Sequence, residues 1–384
     1  MAQDGSSGSD GSVAHDGAEA HGEAGAQVGV EANGGAETEP HGALRVERLG
    51  APPPDWDDLI ARSSLANFCH LAGWREVMEE TLGHEYVALA AREPGGELVA
   101  GLPLVAVRSR LFGSYLVSMP FLNYGGPIGS PEGCRALIDD AASLARERGV
   151  DLLELRARES FEQPHPVNER KVTVLLDLPD DPDVLFKDQF RSKLRSQIRR
   201  PMKEGMEVRF GHDQIGPFYR IFAENMRDLG TPVLPRALFD RIARVFGEVA
   251  VFGVVYAGDE PVAGGAGFQW GDEFELTWAS SLRAWNRQAP NMLLYWGLME
   301  RAIEEGVGVF NFGRCTPGGG THRFKAQWGG EDQVLPWIQV TPSGEPAATP
   351  NPDQGKYKVA TQVWSKLPLG VTKAVGPWLA RRIP

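Results

Sequence analysis

One order of hydrophobic patterns occurs twice along the 384-residue chain, and this repetition limits the possible folds more than any other feature. Between residues 44 and 165, helical stretches are followed by short apolar runs, a further helical stretch and one more apolar run. A similar order recurs between residues 166 and 342. The sequence therefore predicts two tandem copies of one mixed α/β domain, each with a largely antiparallel sheet.

In the first copy, glycine-rich turns separate segments with different periodicities. "EYVALAARE" and "ELVAGLPLVAVRSR" flank a "PGG" turn and predict a hairpin. A third strand is predicted in "SYLVSMPFLNYGG", followed by a helix that starts near Pro131 and ends at Gly149. The remaining predictions are two early helices and a buried last strand, in "APPPDWDDLIARS", "FCHLAGWREVMEETLG" and "VDLLELRAR".

The second copy repeats this order with different residues. "DPDVLFKDQFRSKLRSQIRR" predicts one long basic helix between two strands. Three antiparallel strands are expected to turn at Gly258-Asp259 and Gly271-Asp272. A helix then runs from Pro290 to Gly306, and the strand "VGVFNFGR" follows it.

The two ends of the chain differ in charge. Residues 1–43 contain eight acidic residues and no Lys or Arg, which predicts a disordered acidic tail. Residues 343–384 are predicted to be a linker and a basic amphipathic segment, with six Lys or Arg and no acid after residue 354. Residues 356–384 suit either peripheral membrane contact or docking on the second domain.

Bulk composition excludes several classes of protein. No window contains ~18 consecutive apolar residues, so no transmembrane segment is expected. The N-terminus lacks the basic and apolar regions of a signal peptide. Three widely spaced cysteines favour a reducing, cytoplasmic environment without disulfides, and no metal-binding spacing occurs. The net charge of −12 disfavours nucleic acid in general as a partner.

The first candidate site is the basic helix. Phe190, Leu194 and Ile198 form an apolar stripe, and Arg195 and Arg199 belong to a basic stripe beside it. Arginines at the border of a buried face can hold phosphate with a planar fork. The alternative is an ordinary solvated helix face.

The second candidate is "NFGRCTPGGGTHRFKAQWGG", from Asn311 to Gly330. Arg314 lies at a strand end, and three glycines precede Phe324, Lys325 and Trp328. A lysine among aromatic side chains acts strongly on a developing oxyanion, because its site is partly dry. The alternative is a core aromatic cluster with a lysine that reaches solvent.

Two further groups of residues suit a substrate cleft. Asn123 and Tyr124 are expected at a strand end before paired glycines, where the alternative is a plain turn. Arg283 and Arg287 precede the helix at Pro290, and a helix N-terminus attracts anions.

Several familiar motifs are absent from the sequence. It has no Gly-x-Ser-x-Gly elbow, no P-loop, no paired-Cys metal site and no Gly-x-Gly-x-x-Gly after a strand. "RQAPNM" also lacks the Gln/Arg-x-x-Gly-x-Gly/Ala loop with which GNAT acetyltransferases hold the pyrophosphate of coenzyme A.

These stretches together resemble the FemAB family of the GNAT-like superfamily, over residues 44–384. The most specific part is the Phe-Gly-Arg…Thr-x-x-Phe-Lys-x-Gln-Trp-Gly run. More narrowly, the chain is similar to FemAB-related proteins associated with exosortase/PEP-CTERM and exopolysaccharide systems. The segments that carry the likeness are "VRSRLFGSYLVSMPFLNYGGPI", "FRSKLRSQIRRPMKEGMEV", "RAWNRQAPNMLLYWGLMERAIEEGVGVFNFGRCTPGGGTHRFKAQWG" and "WSKLPLGVTKAVGPWLARRIP".

The resemblance implies tandem GNAT-like domains and metal-independent transfer of an acyl or aminoacyl group. Lys325 matches the Fem lysine thought to stabilise the transition state. Arg195 and Arg199 match the Fem "Arg-x-x-Ile-Arg" helix, and Asn123 to Pro127 align with the family's Gly-Pro turn. Ile128, Gly129 and Ser130 stand where Fem peptidyltransferases usually have an aspartate soon after that turn, so the implied acceptor is the broader class of envelope or exopolysaccharide precursors.

The expected partners follow from that reaction. The acceptor would be a small-molecule or lipid-linked sugar or peptide precursor. The donor would be aminoacyl-tRNA, bound through its 3′ end, or acyl-CoA, with no tightly bound cofactor. A cytoplasmic protein at the inner face of the membrane would have access to both the donor and the acceptor. The alternatives are an acetyl-CoA-dependent N-acetyltransferase and a non-catalytic binder of nucleotide-sugars or polysaccharides with the same fold.

Overall fold

A single mixed sheet runs through the computed structural model, which describes residues 43–109, 112–344 and 355–383, with the side chains of 355–358 excepted. The predicted acidic tail, 1–43, lies outside the described residues except for its last residue. Thirteen strands form the described sheet. They are β1 (Arg45–Leu49), β2 (Glu85–Arg92), β3 (Leu98–Ser109), β4 (Gly113–Val117), β5 (Ile128–Gly129), β6 (Leu152–Leu155), β7 (Val167–Asp177), β8 (Met206–Phe210), β9 (Ala250–Ala257), β10 (Glu260–Trp270), β11 (Glu273–Ser281), β12 (Val309–Cys315) and β13 (Glu331–Val340).

Helices cover the sheet and connect its strands. The α-helices are α1 (Trp56–Arg62), α2 (Trp74–Val77), α3 (Pro131–Arg148), α4 (Pro182–Val184), α5 (Ser192–Lys203), α6 (Ile215–Asp228), α7 (Arg236–Phe246), α8 (Pro290–Glu304), α9 (Gly320–Ala326), α10 (Gly355–Trp364) and α11 (Leu369–Ala380). None of the helices in the described part of the chain is long and apolar enough to cross a bilayer.

The internal repetition predicted from the sequence is present in the topology. The first repeat runs β1, α1, α2, β2, β3, β4, α3 and β6, and the second runs β8, α6, α7, β9, β10, β11, α8 and β12. In each repeat the first four strands (β1–β4 and β8–β11) pair with one another in antiparallel fashion. The fourth strand then pairs in parallel with the last strand of the repeat, β4 with β6 and β11 with β12. The predicted fold class, tandem GNAT-like domains with largely antiparallel sheets, is confirmed.

The two repeats exchange their last strands. β7 follows the first repeat in sequence, but it pairs with β12 of the second. β13 follows the second repeat, but it pairs with β6 of the first, and β7 and β13 pair with each other. The exchange makes one continuous sheet, with the order β1-β2-β3-β4-β6-β13-β7-β12-β11-β10-β9-β8. The domain boundaries predicted at 165/166 and 342/343 stay predictions.

Apolar side chains from both repeats share one core on one face of the sheet. Phe68 of the first repeat stacks on Phe268 of the second, with ring centroids 4.1 Å apart. Trp74 packs against Phe246 of α7 at 4.7 Å. Burying such large rings stabilises the fold by roughly 2–3 kcal/mol each, so the repeats hold each other in place.

Several local predictions differ from the structure. The third strand ends at Val117, and the chain then turns through Met119 and Phe121, whose φ angles of +54° and +71° are left-handed. Asn123 and Tyr124 therefore lie in a strained turn and not at a strand end. The long basic helix is interrupted at Phe190, where the backbone is extended, so α5 begins only at Ser192.

Candidate active site

The parallel strands β11 and β12 separate in the middle of the sheet and open a cleft. They pair only from Glu273 to Glu275, opposite Val309 to Asn311. Beyond these positions β12 pairs with β7, and Gly313 in β12 has a left-handed φ of +72°. A residue that follows Glu275 in β11 or Asn311 in β12 therefore borders the opening on one side, while β11 stays paired with β10 and β12 with β7 on the other.

Two adjoining cavities occupy this cleft. The larger, about 430 Å³, lies between β11, α6 and the end of α11, and Arg314 and Arg156 contribute to its wall. The smaller, about 320 Å³, lies between β11, α8 and α9, and Tyr295 and Phe324 contribute to its wall. The residues common to both walls are Asn225, Ala279 and Ser280.

Glu275 is a buried carboxyl at the inner end of the cleft, two residues before Thr277 in the wall of the larger cavity. Its Oε1 accepts hydrogen bonds from Asn123 Nδ2 at 2.7 Å and from Thr277 Oγ1 at 2.9 Å. Its Oε2 has no hydrogen-bond partner among the described residues. Burial, reinforced by the negative charge of Glu273, raises the pKa of Glu275 to about 7. A carboxyl with this pKa can accept a proton near neutral pH.

A polar network joins the two repeats beside Glu275. Asn311 Nδ2 donates to Tyr124 Oη at 2.9 Å and to Glu273 Oε1 at 2.7 Å. Arg158 from the first repeat forms an ion pair with Glu273 at 3.0 Å and lies 4.8 Å from the Tyr124 ring centroid. The network satisfies these buried polar groups and leaves Glu275 with neutral donors only.

Lys325 lies on α9 and is buried. Its Nζ donates to the main-chain oxygens of Gly313 at 2.6 Å and Arg314 at 3.0 Å. Burial lowers the pKa of Lys325 to about 8, and the negative charge of Glu275 opposes that change. The ammonium has three donors, so one remains beyond these two bonds. The lysine holds the separated end of β12 and places a positive charge beside the cleft.

Two arginines of the larger cavity lie over the same tryptophan ring. The guanidinium groups of Arg314 and Arg156 lie 4.7 and 4.9 Å from the ring centroid of Trp337. Burial, reinforced by the charge of Arg156, lowers the pKa of Arg314 to about 10. Arg156 also bonds to Glu154 at 2.9 Å, which fixes its position. The pair gives this wall the charge that an anionic substrate needs.

The basic helix lies outside the two cavities. Phe190, Leu194 and Ile198 are buried as the apolar stripe predicted. Arg195 donates to the main-chain oxygen of Phe190 at 2.9 Å, and Arg199 lies over the Phe186 ring at 5.0 Å. Neither arginine contributes to the walls of the cleft cavities.

The remaining predicted residues divide between the cleft and its surroundings. Phe324 lines the smaller cavity, whereas Trp328 is buried in the core against Tyr295. Arg283 is tied to the main-chain oxygen of Asp228 at 2.7 Å, and Arg287 is exposed. Of the predicted residues, Arg314 and Phe324 contribute to the walls of the two cavities. Asn123, Tyr124 and Lys325 are buried beside the cleft without lining either cavity, and the others lie outside both walls.

Sequence reasoning missed Glu275 and Arg156. The available signal was in "EFELTW", where Glu273 and Glu275 alternate with apolar residues in a predicted central strand. Two acids on one face of a buried strand are unusual, because a carboxylate without a partner is costly to bury. Arg156 gave no such signal, since its burial depends on Trp337, which is distant in sequence.

Comparisons with known proteins agree with this topology. A family model described as an acetyltransferase (GNAT) domain matches residues 188–326, which contain the second repeat and Lys325. A comparison with curated protein sequences finds no match.

Three solved structures share the fold. A crystal structure of FemX has a TM-score of 0.58 at 14% identity, covering 77% of this chain and 97% of that one. The structure of L-PGS from Bacillus licheniformis has a TM-score of 0.51 at 11% sequence identity, and the match covers 83% of this chain and 98% of that one. The C-terminal domain (DUF2156) of a putative lysylphosphatidylglycerol synthetase from Agrobacterium fabrum has a TM-score of 0.50 at 13% sequence identity. That match covers 75% of this chain and 90% of the other. The family model relates residues 188–326 to GNAT acetyltransferase domains, and the solved structures show that the fold is shared.

Proposed function

We propose that this protein transfers an acyl or aminoacyl group to an amine or hydroxyl of a cell-envelope or exopolysaccharide precursor. The observation that carries the proposal is Glu275, whose raised pKa and unpartnered Oε2 belong to a buried carboxyl at the inner end of the cleft. Perturbed carboxyls inside clefts are typical of acid–base catalysts. Lys325 supplies the complementary charge.

The proposed reaction is direct, without a covalent intermediate on the enzyme. The acceptor gives a proton to the Glu275 carboxylate as its nitrogen or oxygen attacks the donor carbonyl carbon. The carbonyl oxygen becomes an oxyanion, which the Lys325 ammonium stabilises. Collapse of the tetrahedral intermediate breaks the bond to the leaving group, a thiolate or a ribose oxygen, which takes up the proton from Glu275. Cys315 is buried with a raised thiol pKa and takes no part.

The two cavities suit two substrates. We assign the acceptor to the larger cavity, because Arg314 and Arg156 favour a phosphate-bearing precursor there. The donor is assigned to the smaller cavity, where Tyr295 and Phe324 offer an aromatic wall. Asn123 and Tyr124 position the acid–base network, and the resemblance to exosortase-associated FemAB proteins favours an exopolysaccharide precursor.

Residues outside the cavities take roles at the protein surface in this proposal. Arg195 and Arg199, with Arg283 and Arg287, would contact the phosphates of a large donor such as a tRNA 3′ end. Trp328 supports the aromatic wall from the core. The names of the similar structures, FemX and a putative lysylphosphatidylglycerol synthetase, favour an aminoacyl donor.

Acetyl-CoA-dependent N-acetylation is the second candidate, and the match to an acetyltransferase (GNAT) domain model favours it. A thermal-shift panel with acetyl-CoA, charged tRNA, UDP-sugars and undecaprenyl-phosphate head-group analogues separates the two. A ligand that binds only the folded protein raises its melting temperature. We expect a shift with charged tRNA or a sugar precursor; a shift with acetyl-CoA alone would establish the second candidate.

Lys325→Met tests the transfer chemistry once a donor is known. We expect kcat to fall by about 10²-fold or more, because the oxyanion loses its stabilising charge. Ligand-induced thermal shifts should persist, since the walls of both cavities remain. Normal turnover by the variant would remove Lys325 from the mechanism. If ligands raise the melting temperature of the wild type but no donor gives turnover, the protein is a binding protein.

A further inference from the structure

Large apolar side chains of the C-terminal helices face solvent. On α11, Val371, Val375 and Trp378 are each more than 40% exposed, and their spacing of four and three residues puts them on one helix face. On α10, Val359 and Val363 are 60% and 57% exposed, again four residues apart. We call these five residues the C-terminal apolar surface.

The opposite face of α11 carries small residues and packs against the protein. Thr372, Gly376 and Ala380 recur every four residues and are buried. A side chain at Gly376 would meet the Val233 main-chain nitrogen at 3.0 Å, so the helix lies very close to this segment. The docking that the sequence offered as one alternative for residues 356–384 is therefore present. It buries the small residues and leaves the large apolar residues outside, the reverse of the usual pattern of a surface helix.

The segment that carries this surface is rich in positive charge. From Gly355 to Pro384 the sequence has six Lys or Arg and no Asp or Glu, in a protein of net charge −12. Lys366 is exposed, and the Arg382 guanidinium lies 3.9 Å from the Trp378 ring centroid. A tryptophan beside an arginine, next to exposed valines, matches the chemistry of a lipid head-group region.

We propose that the C-terminal apolar surface docks on an anionic lipid bilayer. Valine and tryptophan side chains enter the interface, and the lysines and arginines contact lipid phosphates. Ala380, on the opposite face of the same helix, and Ile383, just after the helix, contribute to the wall of the larger cavity, so docking would hold the helix that borders this cavity at the membrane. Membrane docking stands independently of the proposed reaction, although the two together favour a lipid-linked acceptor.

A second copy of the chain fits this surface less well. Face-to-face pairing would bring the basic segments of two copies together, with no acidic residue in either segment to compensate. An anionic bilayer instead complements them, at about 1 kcal/mol for each basic residue near the surface.

Vesicle flotation of the full chain tests the proposal. We expect binding to vesicles that contain phosphatidylglycerol, weaker binding to pure phosphatidylcholine, and loss of the difference as salt rises to about 0.5 M. For the double variant V375S/W378S, the affinity for phosphatidylglycerol vesicles should fall by about tenfold or more. Val334 is 47% exposed on β13, away from the surface, so Val334→Ser is the matched control and should bind normally.

The outcomes are distinct. Equal binding by V375S/W378S and wild type, or no binding by a wild type that is monomeric in sedimentation velocity, would overturn the proposal. A wild-type dimer that V375S/W378S dissociates would assign the surface to a second copy. Circular dichroism establishes that the double variant is folded, and the thermal-shift panel reports the cleft separately, so failure here leaves the proposed reaction standing.

Discussion

At the scale of single residues, two buried ionisable groups determine what the cleft can do. Burial shifts the pKa of Glu275 up to about 7 and that of Lys325 down to about 8. Between these values the carboxyl is largely ionised while the lysine is still largely protonated, which is the pair of states that the proposed reaction needs. The account therefore predicts transfer activity that rises with pH through about 7 and falls above about 8.

Glu275→Gln separates the carboxyl's effects on stability and on rate. The folded protein holds the Glu275 proton more tightly than the unfolded chain, whose carboxyl has a pKa of 4.5. The stability it contributes is present below pH 4.5 and is lost as pH rises through about 7, an effect of about 3 kcal/mol. Chemical denaturation between pH 5 and 8 should show a smaller decline for the variant.

The exposed carboxyl of Glu93 provides the control. Glu93→Gln should keep the wild-type decline in the free energy of unfolding. Glu275→Gln should also lower kcat by about 10²-fold, since an amide accepts no proton. A variant with the wild-type pH dependence of both stability and rate would show that Glu275 neither titrates in this range nor acts as a base.

At this scale the sequence points to candidate residues where the signal lies in neighbouring positions. Lys325 was selected because Phe324 and Trp328 flank it in the sequence; in the structure Phe324 lines the smaller cavity and Trp328 is buried in the core. Glu275 was missed because its raised pKa comes mainly from burial, and the groups that surround it include Asn123, which is 152 positions away in the chain. Periodicity predicts which face a residue occupies, but not which distant side chains surround it.

At the scale of elements, the separation of β11 and β12 produces the cleft. Gly313 enables it: its φ of +72° is left-handed, and a side chain there would meet Asn123 Nδ2 at 2.9 Å and the Leu276 main-chain oxygen at 3.0 Å. The close approach of Asn123 to the opening thus depends on the missing Cβ.

Gly313→Ala should distort the cleft more than backbone strain alone would. We expect a loss of about 2–4 kcal/mol in the free energy of unfolding, the sum of left-handed strain and steric clash. Gly318 has a nearly equal φ of +75° but nothing within 4 Å, so Gly318→Ala should lose only about 1 kcal/mol. Equal losses measured by urea denaturation would show that close packing at Gly313 has no effect.

Element type was predictable where the hydrophobic period was long and turn residues were present. The hairpin of β2 and β3, the helix from Pro131 and the helix from Pro290 all follow from such signals. The break at Phe190 was not predictable, because Arg195 stabilises it by a hydrogen bond to the Phe190 main-chain oxygen. The periodicity of apolar residues carries no information about that hydrogen bond.

At the scale of the whole molecule, the exchange of β7 and β13 couples the two repeats. The first repeat pairs with β13, which follows the second repeat in sequence, and the second repeat pairs with β7, which follows the first. In addition, Phe68 and Trp74 of the first repeat pack against Phe268 of the second. The repeat order was evident in the sequence because hydrophobic patterns are local. The exchange was not, because strand partners separated by more than 100 residues leave no local pattern.

Because the exchanged strands couple the two repeats, we expect the repeats to unfold together. Urea denaturation should give one transition, with coincident midpoints by tryptophan fluorescence and by far-ultraviolet circular dichroism. Neither repeat can unfold alone without exposing strands of the other. Two separated transitions would show that the exchanged strands contribute little to the coupling.

If one cleft binds both substrates, a bulky side chain at Ala279 should block both. This exposed residue belongs to both cavity walls, so Ala279→Trp should fill them without disturbing the core. We predict that the wild type gains thermal stability from a donor and an acceptor ligand, and that the variant gains none, while its ligand-free melting temperature stays within about 2 °C. Ala284→Trp, at an exposed alanine outside both walls, should respond like the wild type. A wild type that responds to no ligand in the panel, or an Ala279→Trp variant that responds as the wild type does, would contradict the account.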